Sequence, residues 1–277
     1  MSGPLRHASL VFLLIVNLSA CSQKPAASPA RPSILVTSSL LERIAREICG
    51  EGDGAAATIR SLVPPGSCPG HFDLSPRARP ALENAALIIR HDFQKALEER
   101  IARLATRAPE VLAVEAQGGL LVPDRYADLA RRVAECLAKR FPERRAEFDG
   151  RLAALTERVA GVGAAAKARG ARWAGRKAIV SVHQRAFAAW LGLDVVGELR
   201  RPEDVGPQEL ERLLALKPDG IVANLQEGTQ AAEALGTRLG VPVIVFSNFP
   251  DVEGYGRGYD GLLAANLDRL DRAWTKP

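Results

Sequence analysis

Short aliphatic runs alternate with amphipathic segments along most of the chain. The runs are rich in Ile, Val, Leu and Ala, as the buried strands of parallel sheets are. The segments between them repeat apolar residues every three or four positions, which is the period of an amphipathic helix. This alternation predicts an α/β fold of two lobes, each with a roughly four-stranded parallel sheet flanked by helices. The strand-like runs are residues 33–38, 57–63, 86–90 and 111–115 in the first half, and 177–182, 194–199, 220–225 and 241–246 in the second.

The middle of the chain, residues 123–175, contains no strand-like run. Residues 148–159 instead place apolar side chains at three- and four-residue spacing, which continues a helical pattern. A helix of about 26 residues would reach roughly 40 Å, long enough to run the height of two lobes. We therefore predict one long backbone helix that joins the lobes. The alternative is two ordinary helices with a bend near Gly161 and Gly163.

The N-terminus has the layout of a secretory leader. A basic start is followed by an apolar stretch of about a dozen residues, too short to span a bilayer, and then by small residues. The sequence Leu-Ser-Ala-Cys that ends at Cys21 resembles a bacterial lipobox, whose cysteine is lipidated; the alternative is an ordinary leader. The predicted organisation is a lipoprotein signal peptide at 1–21, a flexible tether at 22–33, an N-terminal lobe at 34–141, a linking helix at 142–170 and a C-terminal lobe at 171–277.

Composition and charge narrow the function further. The chain is 47% hydrophobic, enough for a substantial core. Its net charge is +5, but acidic residues interleave with the basic ones, which argues against a nucleic-acid partner. Four cysteines are present, and lipidation of Cys21 leaves an odd number, which does not indicate a disulfide framework.

Three of the four histidines follow strand-like runs. His71 follows the second run across a loop, His91 directly follows the third, and His183 follows the fifth. In open parallel sheets, the carboxyl ends of the strands border the crevice in which ligands bind. Histidine is also the commonest metal-binding side chain. The pattern therefore predicts one metal site in a cleft, and three imidazoles with one further ligand, from Glu115, Asp73 or water, would suit zinc.

Two stretches carry a family resemblance, LVPPGSCPGHFDLSP at 62–76 and SVHQRAFAAWLGLDVVGEL at 181–199. With them, the chain resembles the solute-binding proteins of bacterial zinc and manganese ABC transporters over residues 33–274. The resemblance implies a carrier rather than an enzyme. It also implies a monomer that is lipid-anchored at the cell envelope, faces the periplasm or the outside, and delivers its cargo to a permease with its ATPase.

The family's metal ligands carry over only in part. His183 matches the third ligand, and His71 stands one residue later in its loop than the first ligand does. The second histidine of the family corresponds to Gln117 or Gly118, and the acidic fourth ligand falls near Ser247 or Asn248. Because His91 ends a strand beside the same crevice, we expect it to compensate, with Glu115, Asp73 or water completing the shell. Cys68 is a further candidate ligand, and Asp92 and Gln94 are candidates for orienting the imidazoles.

Two alternatives remain open at the level of sequence. In the first, the same architecture binds a metal chelate or a cofactor instead of a bare ion, or a metal such as manganese instead of zinc. In the second, the chain is a secreted zinc-dependent hydrolase with Glu115 as the general base.

Overall fold

The fold consists of two four-stranded parallel sheets, one in each half of the chain. In this computed structural model, the residues described are 31–70, 72–107, 109–115, 118–201 and 206–274. The strands are β1 Ser33–Val36, β2 Thr58–Ser61, β3 Ala85–His91, β4 Glu110–Val114, β5 Lys177–Ser181, β6 Asp194–Leu199, β7 Gly220–Asn224 and β8 Val243–Phe246. The strand orders are β2-β1-β3-β4 and β6-β5-β7-β8, and every paired neighbour is parallel. The predicted fold class is thereby confirmed.

Amphipathic helices cover both sheets. The apolar face of each helix is buried because it packs against the strands or against another helix. The first helix begins after Ser38, whose side chain caps it by accepting a hydrogen bond from the Leu41 N–H. The helices are α1 Ser39–Cys49, α2 Arg79–Glu83, α3 Lys95–Leu104, α4 Pro123–Arg140, α5 Arg145–Gly170, α6 Arg185–Leu191, α7 Pro207–Ala215, α8 Gln230–Leu239 and α9 Gly258–Trp274. None of the described helices is both long enough and apolar enough to cross a membrane.

The two sheets share one topology. In each, the chain starts at an inner strand, moves to one edge, and returns to the other side of the starting strand. The order therefore reverses between β1 and β3 in the first lobe and between β5 and β7 in the second. Ligands of open α/β sheets bind outside the carboxyl ends of the strands at such reversal points.

The predicted long helix is α5, a single helix of 26 residues. Its buried residues form one stripe, which includes Phe148, Leu155, Val159 and Ala166, and it packs against α1 and α4 of the first lobe and α9 of the second. It does not divide into two helices near Gly161 and Gly163. A short 3-10 turn at Pro142–Arg144 separates α5 from α4 instead, because proline cannot continue the preceding helix.

The two glycines of α5 have different surroundings. Gly163 is buried, and a methyl group in place of its hydrogen would lie 2.6 Å from Cγ of Pro123. Gly161 is exposed, and a methyl group there would meet no atom within 4 Å. Gly163 therefore permits the close approach of α4, whereas Gly161 only weakens the helix.

We expect alanine substitutions at these two positions to change stability in opposite directions. Gly161→Ala should raise the free energy of unfolding by about 0.5–1 kcal/mol, the gain in helix propensity. Gly163→Ala should lower it by about 1–2 kcal/mol, because the overlap with Pro123 outweighs that gain. Urea denaturation of the two variants beside the parent protein measures both effects. Equal stabilisation by both substitutions would show that α4 does not contact α5 at Gly163.

Candidate metal-binding cleft

The reversal points of the two sheets border one cavity of about 780 Å³, here called the cleft. The first lobe contributes loop residues to it, and the second lobe contributes charged and amide side chains. Lining residues of the first lobe are Cys68, Pro69, Gly70, Phe93, Gly118, Gly119 and Leu120. Those of the second are Val182, His183, Arg185, Ala186, Ala189, Glu198, Arg201, Asn224, Gln226, Glu227, Asn248 and Phe249.

His183 and Glu227 form the polar centre of the cleft. His183 lies in the 3-10 turn that follows β5, and Glu227 in the 3-10 turn that follows β7. Because β5 and β7 are hydrogen-bonded neighbours, their following turns meet. Nε2 of His183 lies 3.0 Å from Oε1 of Glu227, and the hydroxyl of Ser181 donates to Oε2 at 2.6 Å. The imidazole is 52% exposed, whereas the carboxylate is only 10% exposed.

The surroundings of Glu227 keep it ionised. Burial alone acts to raise its pKa, but the hydrogen bonds from His183 and Ser181 oppose that effect, and the pKa ends below its ordinary value. Nε of Arg201 also lies 3.4 Å from Oε1 of Glu227. The pair thus presents an imidazole nitrogen and a carboxylate to one point, and both are ligands that zinc accepts.

An amide network builds the wall beside this pair. The side-chain amide of Gln184 donates to Oδ1 of Asn248 at 3.0 Å, and the backbone N–H of Asn248 donates to Oε1 of Gln226 at 3.0 Å. The amide of Gln226 in turn donates to the hydroxyl of Ser247 at 2.9 Å. Of the two positions predicted near the fourth ligand, Asn248 therefore lines the cleft, and Ser247 is fully buried behind it.

His91 is fully buried at the end of β3 and does not line the cleft. Its Nε2 lies 2.9 Å from Oγ of Ser38, and its ring stacks on Phe93 with centroids 5.1 Å apart and an interplanar angle of 7°. Burial, partly opposed by the charge of Asp92, lowers its pKa from 6.5 to about 4. The imidazole is therefore neutral at physiological pH. Its ring packs against one face of the Phe93 ring.

Gln94 orders the first-lobe side of the cleft. It is buried, and its side-chain oxygen accepts from the hydroxyl of Thr37 at 2.5 Å and from the backbone N–H of His91 at 2.9 Å. Its side-chain amide donates to the carbonyl of Pro69 at 2.8 Å. It thereby connects the end of β3 to the loop that carries Pro69 and Cys68, both of which line the cleft.

The predicted acidic residues of the first lobe do not line the cleft. Glu115 forms an ion pair with Arg132 of α4 at 3.2 Å, because β4 is the edge strand and its end lies beside that helix. Asp73 forms an ion pair with Arg100 at 2.8 Å, and Ser75 rather than Asp73 caps the short turn at Pro76. Asp92 also does not line the cleft; its backbone N–H donates to the carbonyl of Val114.

His91, Glu115 and His183 are consequently not brought together. Among the residues that the structure describes, no group of three or more His, Cys, Asp or Glu side chains is arranged to hold a metal ion. His71 and the predicted lipidation site Cys21 lie outside the described residues. Metal ligation by His71, His91, His183 and Glu115 stays a prediction.

Sequence reasoning missed several cleft residues. Glu198 stands one residue before the end of β6. A charged side chain at the end of a strand could have identified it from the sequence as a cleft residue. Arg185 pairs with it, Nε to Oε1, at 3.0 Å. Phe93 and Arg201 follow strand ends by a few residues, and a loop position of that kind does not reveal the direction of its side chain.

The buried His91 makes stability depend on pH. The unfolded imidazole binds a proton below its ordinary pKa of about 6.5, whereas the folded one does so only near 4. This contribution to stability is therefore complete above pH 6.5 and is lost as the pH falls towards 4, by about 3 kcal/mol in all. Urea denaturation between pH 7 and pH 4 should show a steeper loss for the parent protein than for His91→Gln. Equal slopes would show that the folded imidazole titrates normally.

Comparisons with known proteins agree with this architecture. The sequence profile of the ZnuA family, described as zinc-uptake complex component A, periplasmic, matches residues 34–273. A crystal structure of ZnuA is 18% identical and superposes with a TM-score of 0.71, covering 88% of this chain and 99% of that one. No curated protein matches the chain.

Two further solved structures have the same fold. The periplasmic zinc binding protein TroA from Treponema pallidum is 18% identical with a TM-score of 0.72, covering 88% of this chain and 99% of that one. A Mn-bound periplasmic metal binding protein from Candidatus Liberibacter asiaticus is 12% identical with a TM-score of 0.70, covering 87% and 98%. Because the family profile spans nearly all of the described chain, the protein belongs to the ZnuA family of periplasmic zinc-uptake components, which are metal-binding transport proteins and not enzymes.

Proposed function

We propose that this protein is the substrate-binding component of a metal ABC importer and captures a divalent metal, zinc, in the cleft. The observation that carries the proposal is the contact between His183 and Glu227, at 3.0 Å, at the reversal point of the second sheet. A cation that replaces the proton shared by these two groups gains one nitrogen and one charged oxygen ligand.

His71 is proposed as the first-lobe ligand. Its neighbours Pro69 and Gly70 line the cleft, and Gln94 fixes the carbonyl of Pro69. In this proposal Glu227 takes the place expected for Glu115, which pairs with Arg132 outside the cleft. His91 supports the wall of the cleft, and Asn248 supplies an additional oxygen beside the pair.

Zinc is the proposed metal because of the ligand types. A mixture of imidazole and carboxylate suits zinc, whereas manganese and other hard divalent cations favour sites made of oxygen. Manganese remains the second metal of the proposal, since the same cleft offers the oxygens of Glu227, Asn224 and Asn248.

The N-terminal sequence supports a location of the protein at the cell envelope. We propose that Cys21 is lipidated and that residues 22–33 tether the folded part to the membrane, facing the periplasm or the outside. A monomer held there would pass its metal to a membrane permease driven by an ATPase. Family membership excludes the hydrolase alternative, and Glu115 does not line the cleft in which it would act as a base.

Removing either member of the central pair should weaken zinc binding. His183→Ala should raise the Kd by more than the roughly 10- to 100-fold that loss of an outer-sphere partner costs, and Glu227→Gln should raise it by at least about 10-fold. Competition titration against a fluorescent zinc chelator, with the full chain, measures both.

Two further variants separate the ligand sets. Glu209→Gln, which removes a carboxylate paired with Arg212 on α7, is the matched control and should not change the Kd. Glu115→Gln should also leave it unchanged. Unaltered affinity in His183→Ala and Glu227→Gln, or a large loss in Glu115→Gln, would contradict the proposed site.

A further inference from the structure

The cleft exposes apolar surface from both lobes. Among the described residues, the large hydrophobic side chains most exposed to solvent are Phe93, at 53%, and Val182, at 40%. Both line the cleft, one in each lobe. Single exposed apolar residues are common on protein surfaces, but two that line one cavity from different lobes indicate a ligand with apolar surface. A metal ion with only water or protein ligands has none.

Phe93 is held as a rigid platform. Its ring stacks on the buried ring of His91, which is in turn fixed by Oγ of Ser38 at 2.9 Å. The remainder of the ring is exposed to the cleft. A flat aromatic surface whose position is already fixed binds another planar group without a further loss of side-chain freedom.

The charged side chains that line the cleft form two ion pairs. Arg185 pairs with Glu198, and Arg201 pairs with Glu227. The net charge of these four side chains is therefore zero. Arg185 is 64% exposed at the cleft. A guanidinium repels a free metal ion but binds a carboxylate with matching geometry. An organic acid that carries the metal would remove the repulsion and accept hydrogen bonds from the same arginine.

The size of the cavity agrees with an organic ligand. A divalent ion with six waters occupies about 200 Å³, at roughly 30 Å³ for each water. The cleft measures about 780 Å³, which lies within the range of cavities that hold small organic molecules.

We infer that the metal enters the cleft as a complex with a planar aromatic carboxylate chelator. The chelator ring stacks on Phe93, its carboxylate binds Arg185, and the metal takes His183 and Glu227 as protein ligands. The inference rests on the proposed function, because it assigns the chemical form of the same metal cargo.

Two probes with the same donor atoms test the inference. Pyridine-2,6-dicarboxylate and iminodiacetate both bind zinc through one nitrogen and two carboxylates, and only the first is aromatic. In equilibrium dialysis of the full chain at fixed total zinc, added pyridine-2,6-dicarboxylate should increase protein-bound zinc and should itself be retained at one per metal. Its complex should bind roughly 2- to 10-fold more tightly than the iminodiacetate complex, the usual effect of an aromatic pair.

Variants assign the contacts. Phe93→Leu should abolish the preference between the two complexes. Arg185→Gln should weaken both complexes without weakening zinc alone, whereas Arg212→Gln, an exposed arginine paired with Glu209, should change neither.

The outcomes separate the two proposals. If the chelator removes zinc from the protein and is not retained, or if the two complexes bind equally, the chelate inference is overturned while the metal-binding function stands. If neither zinc alone nor either complex binds, both proposals fail.

Discussion

The packing of one long helix against both lobes is the constraint on which the site depends. The buried stripe of α5 contacts helices from the two halves of the chain, so the two sheets share one hydrophobic core. Arg158 on this helix pairs with Glu47 of α1 and with Asp260 of α9. Across the same boundary, Arg43 binds both carboxylate oxygens of Asp251 at 2.7 Å. These contacts fix the separation of the two sheet edges, and the cleft exists because of that separation.

The two lobes contribute different chemistry to the cleft although their topology is the same. The second lobe supplies the ionised and amide groups, with His183 and Glu227 at the reversal between β5 and β7. The first lobe supplies a loop and an aromatic ring that rests on His91. One half is thus suited to metal ligation and charge, and the other to a flat apolar surface. This asymmetry supports a cargo that is more than an ion.

The fold was predictable from the sequence, but the site was predictable only in part. Aliphatic runs and helical periods are regular signals, so the parallel sheets and α5 are confirmed. No comparable sequence pattern indicates in which direction a side chain points after a strand ends. His91 is the last residue of an inner strand and is covered by its neighbours, and Glu115 directly follows an edge strand beside Arg132. His183 and Glu227 stand two and three residues beyond their strands, far enough for a 3-10 turn to aim them into the cleft.

Anomalous diffraction at the zinc edge, from crystals of the full chain loaded with zinc, would locate the bound metal and identify its ligands. We predict one strong peak in the cleft, about 2.0–2.2 Å from a ring nitrogen of His183 and from a carboxylate oxygen of Glu227. A peak beside Glu115 or Asp73, with none at His183 and Glu227, would contradict it.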